Sequence, residues 1–416
     1  MAFSFGLGNL SQLIMAPLHP VGRLVTAVVR RRRGEWVIGC GSGVGEGALV
    51  LARHLVDTRS DVRVTWLTGS DREAADAAAA GLPHVEKTSR AGWLRTARAE
   101  VVVMTHGFGD VGRFTTAGAY VVQLWHGIPL KRIQLDSPVT MRLPGSWTPM
   151  PVRRLLAAAY RRQTARICLL PAASERVAGR LRTAFAVRPE VVQVTGDPRD
   201  DVLAERPDRD ATATRVLRAA VPSLPDGPAV LYAPTWRDGA PDPAIPTAAE
   251  WGVIADVLDR VGATLVIRSH PHGSGSYAAG PARSPRIVQL GHASVVDITP
   301  VLPAFDQLVT DYSSIACDFA LLGRPVHFLA PDADAYAASR ELYDDYRDLT
   351  GGYATGWRQT AAGIESVLTD RVARTEAEAA ARRLAEQFYE HPVGAATERV
   401  MAAITSGLAG RSAAGR

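Results

Sequence analysis

Nowhere in these 416 residues is there an uninterrupted apolar run of about 18, the length that a membrane-spanning helix needs. Cysteine is nearly missing. Cys40, Cys168 and Cys317 stand far apart and form neither a metal-type pair nor a disulfide framework, which points to a reducing cytoplasm. Lysine is scarce too, because nearly all of the 47 basic residues are arginine. The formal charge of +5 suits an anionic substrate or an anionic lipid surface without demanding nucleic acid. No internal repeat of short period occurs. The run Gly39-Cys40-Gly41-Ser42-Gly43-Val44-Gly45 lacks the Lys-Ser/Thr of a P-loop and makes no clean G-x-G-x-x-G, so it reads as a flexible loop approached by substrate. A signal peptide is excluded, because the arginines at 30–33 follow the mostly apolar stretch 13–29 rather than precede it. That stretch is either an interfacial segment with a polybasic flank or a packed helix with a solvated charge run.

What is present alternates. Apolar runs at 36–38, 62–67, 101–104, 121–125, 167–170 and 191–194 read as short buried strands, separated by helical patterns at 46–56, 72–80 and 173–185. Prolines 207, 222, 225 and 228 crowd the segment 205–228, which reads as a domain connection. A second alternating set follows, with strands at 229–233, 263–267, 286–290, 307–310 and 325–329 and helices at 248–261 and 314–322. The expected fold is α/β: two doubly wound, mainly parallel halves facing across a cleft, with C-terminal helices after about 375. The expected divisions are 1–33, 34–205, 206–374 and 375–416. Ligands belong at strand C-terminal ends facing the cleft.

Polar clusters follow four of these strands. Trp125-His126-Gly127-Ile128-Pro129-Leu130-Lys131 puts an imidazole on a strand-end loop, where it can act as a general base near neutral pH. In Tyr232-Ala233-Pro234-Thr235-Trp236-Arg237-Asp238, Thr235 and Arg237 can hold a phosphate. In Arg268-Ser269-His270-Pro271-His272, Arg268 and His270 alternate on one face and can point at one anionic group. The turn Asp311-Tyr312-Ser313-Ser314 opens a helix with unpaired N–H groups and two hydroxyls, an arrangement that favours phosphate. A plain N-cap explains one hydroxyl and leaves the other over. Gly196-Asp197-Pro198-Arg199-Asp200-Asp201 reads as a hinge-side turn touching the acceptor. Arg153, Arg154, Arg161, Arg162 and Arg166 flank an apolar helical stripe suited to anionic lipid, or simply a solvated helix face. No metal set is read. Few carboxylates cluster, and Mg2+ carried on a donor diphosphate stays compatible with the sequence.

In this order the clusters resemble the CDP-glycerol glycerophosphotransferase family, the wall teichoic acid primases and polymerases with a GT-B fold. The match rests on Trp125-His126-Gly127-x-Pro129-Leu130-Lys131, Gly196-x-Pro198-Arg199-x-Asp201, Tyr232–Asp238, Arg268-x-His270-Pro271, Thr310–Ser314, Asp318-Phe319-Ala320 and Arg324-Pro325, spread over roughly residues 35–400. The resemblance implies two Rossmann-like domains, the first on the acceptor and membrane side and the second binding the CDP donor. It implies transfer of glycerol phosphate, or a related polyol phosphate, from a CDP-linked donor to a hydroxyl of a membrane-anchored acceptor, with release of CMP. His126 is then the general base, and His270 with Arg268 meets the donor diphosphate. Ser313 and Ser314 hold donor phosphate, helped by Asp311, Tyr312, Thr235 and Arg237. Gly127, Lys131 and Arg199 face the acceptor. The enzyme would work in the cytoplasm, attached peripherally to the inner face of the membrane. Asp200 stands where the family often has Asn, and Thr350-Gly351-Gly352 and Val393-Gly394 depart from its usual Pro-Gly-Pro and Asp-Gly, so the polyol stays open. A GT-B glycosyltransferase using a nucleotide sugar, or a non-catalytic nucleotide- or lipid-binding subunit, are the competing readings.

Overall fold

In the computed structural model, residues 15, 18–137, 140, 148–237, 240–269 and 275–414 are described. The first half holds a parallel sheet of β1 (Arg32–Ile38), β2 (Arg63–Thr68), β3 (His84–Glu86), β4 (Ala99–Met104) and β5 (Tyr120–Gln123) in the order β3-β2-β1-β4-β5. A parallel bridge from Val122 to Leu169 continues it into β6 (Leu170–Ala172), which pairs with β7 (Val192–Val194). The second half repeats the order. Its strands β8 (Ala229–Ala233), β9 (Thr264–Ile267), β10 (Ile287–Gln289), β11 (Gln307–Thr310) and β12 (Val326–Phe328) run β10-β9-β8-β11-β12, again all parallel.

Local sequence explains the elements. Strand interiors such as Val101–Met104 and Ala229–Ala233 are buried along their whole length, as expected where helices cover both faces of a parallel sheet. Helix Glu46–Thr58 buries Gly47, Ala48, Leu51, Ala52 and Leu55, the helical repeat of one face. Helix Ala248–Val261 opens on a Thr247/Glu250 capping box and stops at Gly262 in the left-handed region. The segment expected to be a plain connection instead folds as helix Arg209–Ala220. Its prolines all fall outside those twelve residues, so they bound the helix rather than prevent it.

Two hydrophobic contacts help to join the halves. One hydrophobic cluster runs from Leu170, Ala172 and Val177 through Ala316, Cys317 and Ala320 to Leu384 and Phe388. The last helix, Ala396–Ala414, returns to the first half, where Val400, Met401 and Ile404 pack with Val122 and Leu169. Arg411 donates to the carbonyls of Ala119 and Gly118. The start of this helix is held by buried Asp201, whose Oδ1 accepts from the N–H groups of Gly394 and Ala396 and whose Oδ2 accepts from the N–H and hydroxyl of Thr397.

At the N-terminus, helix Leu18–Val28 leaves Val21, Leu24 and Val28 exposed. The arginine run beyond it is not uniformly solvated. Arg31 turns inward, donates to the carbonyls of Thr96, Ala99, Thr115 and Ala117, and is pushed down to about 10 by burial. No helix among the described residues is long and apolar enough to cross a membrane. Replacing Asp201 by Ala removes four acceptor contacts from one helix start. Hydrogen exchange at 394–400 should speed up by about tenfold or more while exchange in β8–β12 stays unchanged.

Candidate active site

The polar loops all leave the C-terminal ends of strands and meet along the seam between the sheets. After β5 the chain turns sharply. Trp125 has φ +67°, and Gly127, at φ +122°, brings its backbone against the second half. A Cβ at Gly127 would stand 2.7 Å from Arg199 Nη1 and 3.0 Å from Ser314 Oγ, so only glycine fits there. His126 therefore sits one residue from a point where both halves converge.

The His126 ring is sandwiched. It stacks on His106 with centroids 4.0 Å apart and planes within 2°, and Trp125 packs at 3.9 Å. Its Nδ1 lies 3.5 Å from the Thr105 carbonyl, an orientation that leaves Nε2 as the free base. Burial and then the neighbouring His106 push its pKa well below the usual histidine value, so the ring is neutral at physiological pH. His106 escaped the sequence reading. The available signal was a second strand-end His-Gly pair, His106-Gly107, after β4. Buried Asp110 fixes its loop, one carboxylate oxygen accepting from the N–H groups of Thr105, His106 and Gly107 at 3.0, 2.7 and 3.2 Å.

The glycine-rich run 39–45, expected to be a flexible loop, is packed. At Gly41 a Cβ would lie 2.6 Å from the His106 ring. Beyond the run, Glu46 donates its N–H to Asp297 Oδ2 at 2.7 Å, so a loop of the second half caps a helix of the first.

Arg199 is buried between the halves. Its guanidinium pairs with Asp318 and donates to Thr299 Oγ1 at 3.2 Å. This side chain, expected at the acceptor, is spent on the seam, although its Nη1 edge still lies against Gly127. Three carboxyls crowd around it. Burial pushes Asp197 up to about 7, and raises Asp318 and, further still, Asp200. Asp200 Oδ1 has no hydrogen-bond partner among the described residues.

Four side chains expected at the donor are drawn into the fold. Arg237 is bidentate to Asp332 at 2.9 and 3.0 Å, donates to Asp311 at 3.0 Å, and lies over the rings of Tyr312 and Tyr336. Asp311 accepts from the N–H groups of Thr235 and Tyr312. Tyr312 is fully buried, stacked on Tyr336, with its hydroxyl on Asp332. Thr235 is buried too. The reason is electrostatic: a buried guanidinium at the base of a strand-end turn needs carboxylate partners, and buried Asp311 and half-buried Asp332 supply them. These residues brace the turn from beneath.

Ser313 and Ser314 remain partly accessible on top of that turn. The Ser314 side chain makes no cap bond, and Ser313 Oγ accepts only a long 3.4 Å contact from the Ile315 N–H. Arg268, at the end of β9, donates to the Val296 carbonyl at 3.2 Å and meets His292 at 3.3 Å. Lys131 is partly buried and its backbone bridges to Leu342. His270 lies outside the described residues.

The profile of the CDP-Glycerol:Poly(glycerophosphate) glycerophosphotransferase family matches residues 38–406, which takes in every loop just described. The chain belongs to this family. Among its relatives, a teichoic acid poly(glycerol phosphate) polymerase of Staphylococcus epidermidis is 31% identical over 233 residues, covering 55% of this chain and 31% of that protein. A teichoic acid glycerol-phosphate transferase of Staphylococcus aureus is 27% identical over 282 residues, covering 64% of this chain and 66% of that one. The chain thus spans from about a third to just under two thirds of these relatives. A solved structure of the wall teichoic acid polymerase TagF superposes with a TM-score of 0.76 at 20% identity over 98% of this chain and 97% of that one, which establishes the shared GT-B-like fold.

This seam carries more buried acid than its arginine can neutralise. Asp200, with its pKa raised far above the carboxylate range, holds its proton in the folded state while the unfolded chain releases it. The Asp200 contribution to stability is therefore lost as pH rises above about 4, by up to about 1.4 kcal/mol per unit while the folded carboxyl stays protonated. Asp200→Asn mimics the neutral acid. In urea unfolding it should match wild type near pH 4 and exceed it increasingly towards pH 7; identical pH profiles would refute the assignment.

Proposed function

We propose that this chain transfers glycerol phosphate, or a closely related polyol phosphate, from a CDP-linked donor to a hydroxyl of a teichoic-acid-type acceptor and releases CMP. The observation that carries the reading is the meeting of the His126-Gly127 turn with Ser314 across the seam, within a chain of this family. Both named relatives act on teichoic acid, which supports the acceptor class.

The chemistry asks for three things: removal of the acceptor hydroxyl proton, neutralisation of charge on the diphosphate, and in-line placement. Neutral His126, with Nε2 unprotonated, accepts the proton. The stacked His106 and the tilted Trp125 fix the ring, so little reorganisation accompanies the transfer. Ser313 and Ser314 offer hydroxyls to the donor phosphates, on a turn that Arg237 and Asp311 hold rigid. Arg268 supplies positive charge at the neighbouring strand end, and His270 is assigned the diphosphate beside it.

Two helices support a membrane side for this reading. Helix Met150–Thr164 exposes Met150 and Leu155 together with Arg153, Arg154, Arg161 and Arg162. Arg166 does not join them, because it turns inward to Thr116 and the Phe108 ring. Helix Leu18–Val28, whose Arg23 acts electrostatically on Arg166, exposes Val21, Leu24 and Val28, and we count these with the same face. We assign this face to the anionic inner leaflet, which places the enzyme in the cytoplasm at the membrane surface.

Two experiments test these assignments. His126→Ala should lower turnover of CDP-glycerol by about 10²- to 10⁴-fold, with CMP as the leaving product in wild type and donor affinity by calorimetry unchanged. Release of a nucleoside diphosphate instead would favour sugar transfer. Replacing Arg153, Arg154, Arg161 and Arg162 with Glu should abolish co-sedimentation with phosphatidylserine vesicles, at about 1 kcal/mol per charge, while binding of CDP-glycerol persists. Undiminished sedimentation would place the membrane face elsewhere.

A further inference from the structure

Beside His126, three potential metal ligands from different elements converge. Cys40 ends the loop start after β1, Glu46 is the first residue of helix Glu46–Thr58, and His106 follows β4. Their ligand atoms all lie within 4.8 Å of one another, and Cys40 Sγ is 3.6 Å from Glu46 Oε2. A tetrahedral ion with bonds of about 2.0–2.3 Å has ligand–ligand edges of about 3.3–3.8 Å. The Cys40–Glu46 edge already fits, and the remaining pairs, each within 4.8 Å, need to close by at most about 1.5 Å.

The surroundings hold these groups in place. The His106 ring is backed by Gly41 on one side and by His126 on its stacked face. Thr105 Oγ1 bridges the site, 3.3 Å from Cys40 Sγ and 2.8 Å from His106 Nδ1. Glu46 keeps a left-handed backbone, φ +55°, pinned by the bond from its N–H to Asp297. Access is graded: Cys40 is buried, Glu46 half-buried and His106 exposed, so a small ion enters past the imidazole.

We propose that Cys40, Glu46 and His106 bind a thiophilic divalent cation of the Zn2+ class, with a fourth position open to water or substrate. One sulfur, one nitrogen and one oxygen donor select Zn2+ or Co2+ over Mg2+ and Ca2+, which prefer oxygen alone. On coordination the Cys40 thiol gives its proton to solvent and the thiolate becomes the ligand. The ion joins the loops after β1 and β4, and through Glu46 and Asp297 it reaches the second half. It lies at the edge of the ring on which His126 stacks.

Chelator-stripped full-length protein, titrated with Co2+ and separately with Zn2+, tests this. The expected result is one ion per chain and a near-ultraviolet thiolate-to-cobalt charge-transfer band. Cys40→Ser should abolish the band, and His106→Ala should weaken Zn2+ by at least about tenfold. Cys168→Ser should leave both intact. Matching thermal melts of metal-free wild type and variants show that the fold is unchanged. A cobalt spectrum without the thiolate band, equal Zn2+ affinity in wild type and Cys40→Ser, or loss of the band in Cys168→Ser would each overturn the proposal.

Discussion

The buried pair between Arg199 and Asp318 is the interaction on which the arrangement of this protein turns. It joins a 3₁₀ turn at the end of the first half to a short helix of the second, in a place where water is excluded from both groups. Charges buried to that degree must be matched, because removing either partner strands the other at a cost of about 3–5 kcal/mol. The pair thereby fixes where the two sheets stand relative to each other. Gly127 of the first half lies within reach of both Arg199 and Ser314. The second tie, from Glu46 to Asp297, stands beside the first, since Asp297 accepts from the Thr299 N–H and Thr299 accepts from Arg199.

Around this seam the fold uses one device repeatedly: a buried carboxylate that gathers the backbone N–H groups of a strand-end loop. Asp110 gathers three donors beneath His106, Asp311 gathers Thr235 and Tyr312, and Asp201 gathers the start of the last helix. Loops that would otherwise move are thus rigid before any ligand arrives, which suits phosphoryl transfer, where positioning and electrostatics do most of the catalysis. The accessible groups, His126, Ser313, Ser314 and Arg268, are few and sit on top of these braces. The basic helix Met150–Thr164 belongs to the first half, and the Ser313 turn to the second. Under the proposed function, acceptor and donor would thus approach from different lobes.

Much of the fold was legible because parallel strands buried on both faces are written as short apolar runs. Eleven of them were read directly, and β3 escaped since His84–Glu86 has no apolar run at all. Helix Arg209–Ala220 was missed because the flanking prolines dominate its neighbourhood, although none lies inside it. Among the polar groups chosen by strand-end position and residue type, His126, Arg268 and the two serines stay partly accessible. The same logic overreached at Arg237, Asp311 and Tyr312, whose polar atoms meet partners from distant loops such as Asp332. It passed over His106 and Asp297, which stand alone in the sequence and acquire neighbours only in space.

The sequence by itself determined the two α/β halves, the strand-end location of the polar groups and, through its ordered motifs, the family. These are properties of short segments, set by local periodicity, burial and turn chemistry. Only the tertiary structure decided which of those polar groups face outward and which serve as braces, because that depends on whether a partner of opposite charge folds in from elsewhere. Cys40, Glu46 and His106 show the same limit. No spacing rule links residues 40, 46 and 106; they become neighbours because β1 and β4 lie side by side in the sheet and deliver their loops to one place.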